Sequence, residues 1–197
     1  AKAYLYQEKW QLAYDMSGEV ITSGQYVLLA NYADVWREVG ENQSESIFEV
    51  QFRKGASGEG SPYTNQFAPI GSGTAVVSIG NPLGQNIPTS DMNNAYETGD
   101  LRKAASMRTS YVLGGNTVNH NYIVKYAGVP AANLDSDNNW IVMRYADVLL
   151  MYAEALNEQG YVADGPAFAY LNQVRTRAGL ASKTSSNANA ALQVADQ

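Results

Sequence analysis

Apolar residues recur at helical spacing toward both ends of the 197-residue chain and lose that spacing in the middle. Trp10, Ala13, Tyr14, Ser17, Val20 and Ile21 fall on one face of an amphipathic helix. Gly24 then offers a stop, because glycine enters the left-handed conformation without a steric penalty. Ala1, Tyr4 and Leu5 begin an earlier helix with a turn near Gln7–Lys9, so residues 1–23 predict a helical hairpin. Asn31 is placed to cap a short helix carrying Val35 and Trp36, and Trp36 is assigned to the core. In residues 45–52, Phe48, Val50 and Phe52 alternate with Glu49 and Gln51, which predicts a half-buried strand.

Residues 53–139 are rich in Gly, Asn, Ser, Thr and Pro. Segments 55–67 and 80–94 predict loops, with short strands at 75–79 and 121–126. Helical character returns after Trp140. Residues 144–160 are apolar nearly all round, which predicts a helix buried from several sides and ended by Gly160. Asp164, ahead of Gly165 and Pro166, is expected to cap the next helix. That helix, within 167–180, should bury Phe168, Leu171, Val174 and Ala178 and stop at Gly179. Residues 182–191 predict a polar linker, and residues 190–196 the start of a further helix.

The string RYADVLLMYAEALNEQG (144–160), followed by LNQVRTRAGL (171–180), resembles the signature of the SusD/RagB family. Three more segments agree with that pattern in order: AKAYLYQEKWQLAYDMSGEVITSG (1–24), NYADVWREVGENQSESIFEVQF (31–52) and GDLRKAA (99–105). The resemblance implies a mainly α fold of tetratricopeptide-like helical hairpins, with a long loop-rich insertion and a few short strands. It implies a single SusD-like domain fragment divided as 1–52, 53–139 and 140–197. It further implies a lipid-anchored protein on the outer face of the outer membrane that binds a nutrient, commonly an oligosaccharide. A SusC-like TonB-dependent transporter is the implied partner, over which the protein acts as a lid. The family's lipid-modified cysteine, its first helical repeats and the helix that follows its Arg-Ala-Gly-Leu motif are not found here, so the chain is expected to be a fragment.

Composition narrows the alternatives. A chain with 45% hydrophobic residues, 16% charged residues and 14 tyrosines reads as folded rather than disordered. A net charge of -6 with no basic run sets nucleic acid aside. With no cysteine there is no thiol chemistry and no Cys-ligated metal, and no cofactor is expected. The longest apolar run, Trp140 to Leu156, contains Arg144, Asp147 and Glu154, which argues against a membrane span.

The same three charged residues raise the question of glycoside hydrolysis, which needs two carboxyls facing across a sugar. Asp147 and Glu154 lie two turns apart, about 10.5 Å, on an apolar helix. An Arg144–Asp147 contact and buried hydrogen bonds that fix helix packing are the expectation instead. His120, the one histidine, reads as a solvated surface residue. Asp135, Asp137 and Asn139 alternate like the start of a calcium loop, but Trp140 and Ala146 stand where glycine and a carboxylate are required. No catalytic or metal-ligating residue is therefore assigned, and the chain is read as a binding protein rather than an enzyme.

Sugars present C–H faces to aromatic rings and hydroxyls to amides. Tyr63, Asn65, Gln66 and Phe67 bring those groups together in the 53–73 segment, where ligand binding is expected. The competing reading is that Tyr63 and Phe67 pin a loop to the core. The leading function is nutrient capture for import. The alternative is a tetratricopeptide-type adaptor with a peptide in a helical groove, against which stands the long interruption between the hairpins.

Overall fold

A computed structural model describes residues 1–55 and 58–187. The helices in chain order are α1 (Lys2–Leu5), α2 (Trp10–Thr22), α3 (Tyr63–Phe67), α4 (Ser90–Ala95), α5 (Leu101–Ser106), α6 (Tyr145–Gln159) and α7 (Pro166–Arg177). The strands are β1 (Ser46–Val50), β2 (Met107–Leu113), β3 (Asn116–Ile123) and β4 (Trp140–Arg144). Two 3-10 turns span Tyr32–Trp36 and Gly73–Ala75. Helix therefore predominates over strand. None of the described helices is long and apolar enough to cross a membrane.

The chain forms two compact units. The first comprises Ala1–Ala30, Ser44–Phe48 and Met143–Gln197; the second comprises Asn31–Gln43 and Glu49–Val142. Strands β1 and β4 pair as a two-stranded sheet.

In the first unit α2 packs on α6 and α6 on α7. The helical spacing of α2 buries Ala13 and Ser17. At Gly18 a Cβ would stand 3.2 Å from the Tyr152 ring, so a hydrogen side chain permits the approach. Tyr14 stacks on Tyr152 with ring centres 4.7 Å apart, and Tyr152 meets Tyr170 edge-on at 4.6 Å. Burial, aided by the Tyr14 contact, pushes the Tyr152 phenol well above its ordinary range. Helix α6 buries Ala146, Val148, Leu149, Met151, Ala153 and Ala155, as its apolar circumference requires. Ala146, Leu149 and Val174 form the core, flanked by Ile21, Leu28, Tyr145 and Tyr170.

Two details of the C-terminal hairpin depart from the sequence reading. Gly165, not Asp164, is the N-cap of α7, with Pro166 at its first position. Asp164 adopts φ 55 and accepts hydrogen bonds from Ser185 N and Oγ at 2.8 and 2.9 Å, so a distant loop takes the carboxylate. Leu171 is only half-buried, and Arg177 and Leu180 go inside with Val174. Residues 190–196, expected to start a further helix, lie outside the described residues.

Strand β1 is half-buried, and its buried face is the one that carries the glutamates. Phe48 and Val50 are 58% and 42% exposed, whereas Glu45 and Glu49 are 0% and 7% exposed. Within the first unit, the Glu45 carboxylate accepts from Arg144 Nη1 at 3.0 Å, Arg177 Nη1 at 2.7 Å and the Leu29 N–H at 3.0 Å. Within the second, Glu49 accepts from Asn139 Nδ2 at 2.9 Å and the Asn42 N–H at 3.4 Å. A buried carboxylate with this many donors outweighs the burial of one or two apolar side chains, and the strand's two-residue period carries every neighbour with it.

In the second unit β2 and β3 form an antiparallel hairpin through Gly114–Gly115, which adopt φ of 57 and 82. Positive φ at both positions is the type I′ geometry that matches strand twist. The sequence reading missed β2, and residues 75–79, expected as a strand, run from the end of the 3-10 turn Gly73–Ala75 into turn and bend. Of its strand at 121–126, residues 121–123 are the end of β3 and the rest lies beyond it. His120, on β3, is half-buried with Nε2 enclosed, rather than solvated.

Candidate functional site

The irregular second unit needs substitutes for backbone ladders, and its polar side chains supply them. Asp135, Asp137 and Asn139 take three backbone N–H groups of another segment. Gly55 N donates to Asp135 Oδ2 at 2.9 Å, Lys54 N to Asp137 Oδ1 at 2.7 Å, and Phe52 N to Asn139 Oδ1 at 2.8 Å. The alternation that resembles a calcium loop thus fastens backbone to backbone, and no group of three or more potential metal ligands occurs among the described residues. Lys54 Nζ closes the fastening with Glu38 at 2.7 Å and Asp137 at 3.2 Å. Those hydrogen bonds raise the Lys54 pKa.

Glu41 stands at the edge of this network, its Oε1 accepting the Asn139 N–H at 2.6 Å. Burial, and then the negative charges of Glu49, Asp137 and Glu38, raise its pKa despite that hydrogen bond. A carboxyl whose folded pKa is raised binds its proton more tightly folded than unfolded. Its contribution to stability therefore falls as pH rises from the usual carboxylate value through the raised one. Glu41→Gln keeps an oxygen for the Asn139 N–H and removes the repulsion. Thermal melts should show a higher Tm for the variant at about pH 7 and little difference at about pH 4. A variant less stable than wild type at neutral pH would refute this account.

Aromatic residues from five separate stretches of this unit meet in one cluster. Tyr63 and Phe67 are one turn apart on α3 and stack at 5.5 Å. Tyr63 also contacts Phe52 at 5.8 Å, Tyr126 at 5.5 Å and Trp140 at 4.7 Å. Tyr126 stacks on Trp140 at 5.1 Å and meets Trp36 edge-on at 5.6 Å. Next to the cluster is a cavity of about 640 Å³. Trp36, Tyr63, Phe67, Tyr122 and Tyr126 supply its rings, alanines much of the remaining wall, and Asn31, Thr64 and Arg108 its polar groups.

Each wall is held by local structure. The Asn31 side chain accepts the Ala33 N–H and so caps the turn that carries Trp36. Thr64 Oγ1 lies 2.8 Å from the Tyr126 carbonyl and 2.9 Å from Asn138 Oδ1, tying α3 to the segment after β3. Arg108 faces Tyr122 across the β2–β3 ladder, and its Nη1 donates to the carbonyls of Ala104 and Met107 at the end of α5. Burial lifts the Tyr122 phenol above its ordinary pKa, and the Arg108 charge opposes that rise. The result is a mainly aromatic and methyl-lined concavity with a few fixed polar groups, within the size range of small-molecule sites.

The structure divides the four residues singled out in the sequence. Tyr63 and Phe67 line the cavity; Asn65 and Gln66 do not. The Asn65 amide is buried and engaged within the fold, donating to the Ile79 carbonyl at 2.9 Å and accepting the Leu134 N–H at 3.0 Å. Residues 63–67, expected to be loop, form a helix because Thr64, Asn65 and Phe67 are all buried. Trp36, assigned to the core from sequence, is half-buried and lines the cavity, joined by Tyr122 and Tyr126. Nothing in their spacing marks those three as neighbours; the signal available was only the abundance of rings in polar sequence.

Residues 114–196 match the SusD family model. A SusD-like protein from Formosa agariphila, P25, is 30% identical over 90% of this chain and 40% of its own length. A SusD superfamily protein from Parabacteroides distasonis has a solved structure that is 30% identical, with a TM-score of 0.74 over 99% of this chain and 43% of that one. A laminarin-binding SusD-like protein is 27% identical, with a TM-score of 0.73 over 93% of this chain and 47% of that one. The chain thus spans about two fifths of the length of the curated relatives it matches.

Proposed function

We propose that this chain, which belongs to the SusD/RagB family, is part of a surface glycan-binding protein whose aromatic cavity captures oligosaccharides. The observation that carries the reading is the cavity of about 640 Å³, with rings from Trp36, Tyr63, Phe67, Tyr122 and Tyr126 on its walls. Stacked and tilted rings offer flat faces to sugar C–H groups. The laminarin-binding relative supports a glucan or similar oligosaccharide as ligand. Family membership supports the wider role: a lipid-anchored protein on the outer face of the outer membrane, delivering ligand to a SusC-like TonB-dependent transporter.

The role is binding without turnover. Asp147 accepts the Arg144 N–H at 2.8 Å at the start of α6, and Glu154 is exposed on the same helix. Neither belongs to the unit that holds the cavity, so glycans incubated with the protein should be recovered intact.

Calorimetric titration with a panel of neutral oligosaccharides, laminarin fragments among them, tests the proposal. Trp36→Ala should weaken binding by about 0.5–1.5 kcal/mol, the scale of one aromatic contact, which is about 2- to 12-fold. Tyr63→Ala and Phe67→Ala extend the test. If all three variants bind normally and differ from wild type only in Tm, the rings are structural pins and the site lies elsewhere.

A further inference from the structure

We infer that the aromatic cavity is one part of a composite site, and that the oligosaccharide it takes carries an anionic substituent read by Lys125 and Arg102. The inference rests on the glycan-binding reading above. The same unit holds a smaller cavity, about 280 Å³, lined by Tyr32, Met92, Tyr96, Arg102, Ser106 and Lys125. Trp36 links the two. Its indole lines the larger cavity, meets the Tyr32 ring edge-on at 5.9 Å, and carries the Lys125 ammonium 4.5 Å from its ring centre.

The chemistry of the smaller cavity is one-sided. It gathers a guanidinium, an ammonium and the hydroxyls of Tyr32, Tyr96 and Ser106, with no carboxylate in its lining. Asp100 is close to Arg102 but has both oxygens engaged by it. Oδ1 accepts from Arg102 N and Nε, each at 2.9 Å, and Oδ2 from Nη2 at 2.6 Å. That pairing holds the guanidinium rigidly and raises its pKa. The Lys125 ammonium has no carboxylate within salt-bridge distance among the described residues. The indole face attracts it electrostatically but accepts no conventional hydrogen bond, so its three donors remain for another partner. A positive centre fixed beside a sugar-stacking ring suits a carboxylate or a sulfate ester. A neutral sugar would leave the donors to water.

Titrating the chain with a neutral gluco-oligosaccharide, an oligogalacturonate and a sulfated oligosaccharide of similar length tests this. At low salt one of the two acidic probes should bind roughly tenfold more tightly than the neutral one, and which of them it is separates carboxylate from sulfate recognition. The preference should shrink as ionic strength rises. Lys125→Met and Lys125→Gln should each bring the acidic-to-neutral ratio to about one, and Lys125→Arg should preserve it. A ratio near one in the wild type, or one that both charge-removing variants leave unmoved, overturns the anionic inference while leaving glycan capture standing. Binding of none of the probes or of a broader neutral panel overturns both.

Discussion

Glu45→Ala should be the most damaging single substitution in the first unit, with an expected cost of about 3–5 kcal/mol. Its carboxylate is 1% exposed and lies between Arg144 and Arg177, whose side chains are 18% and 5% exposed. Its carbonyl accepts the Tyr145 N–H at 2.8 Å, and its carboxylate the Leu29 N–H, so it joins β1 to both α6 and the segment after α2. Truncation removes the carboxylate that bridges the two cations and leaves a cavity beside them. Burying a charge without its partner costs far more than losing an exposed pair, which is worth about 0–1 kcal/mol. Urea unfolding should show a lower midpoint with an unchanged slope. A loss below about 1 kcal/mol would mean that the cluster behaves as a surface pair. The triple replacement of Glu45, Arg144 and Arg177 by leucine should recover much of the lost stability, because only the unbalanced charge is strongly unfavourable.

Tyr126→Ala should be as damaging to the second unit, by about 3–5 kcal/mol, the range for removing a large buried ring. Tyr126 is 8% exposed and touches Trp36, Tyr63, Phe67 and Trp140. Its loss should enlarge the cavity and free the rings around it, so oligosaccharide affinity should fall along with stability. Tyr126→Phe keeps the ring and should preserve most of both. The measurement is paired, a denaturant melt and a binding isotherm on each variant. A stable Tyr126→Ala protein with ordinary affinity would show that neighbouring rings, and not Tyr126, build the site.

These two substitutions also mark where sequence reasoning reached its limit. The helical hairpins were legible because their information is local. Trp10 to Ile21 repeat on one face, Gly160 ends α6, and Gly179 adopts φ 76 just after α7. The cap at Asn31 and the turn at Gly114–Gly115 are equally local, set by one side chain and by two positive φ angles. The signature at 144–180 pointed to the family through the same local strings.

What tertiary structure alone decided are matters of partnership across long separations. The period of β1 says that its faces alternate, but not which face is inside. That choice fell to Glu45 because Arg177, 132 residues away, reaches it. Asp135, Asp137 and Asn139 have the spacing of ion ligands, and only the position of Phe52–Gly55 makes them a fastening for backbone. Likewise Tyr63 and Phe67 belong together by helical spacing, whereas Trp36, Tyr122 and Tyr126 join them only when the chain closes. Periodicity is a property of neighbouring residues and survives in the sequence. The partner that makes a buried charge or a ring favourable is set by the fold.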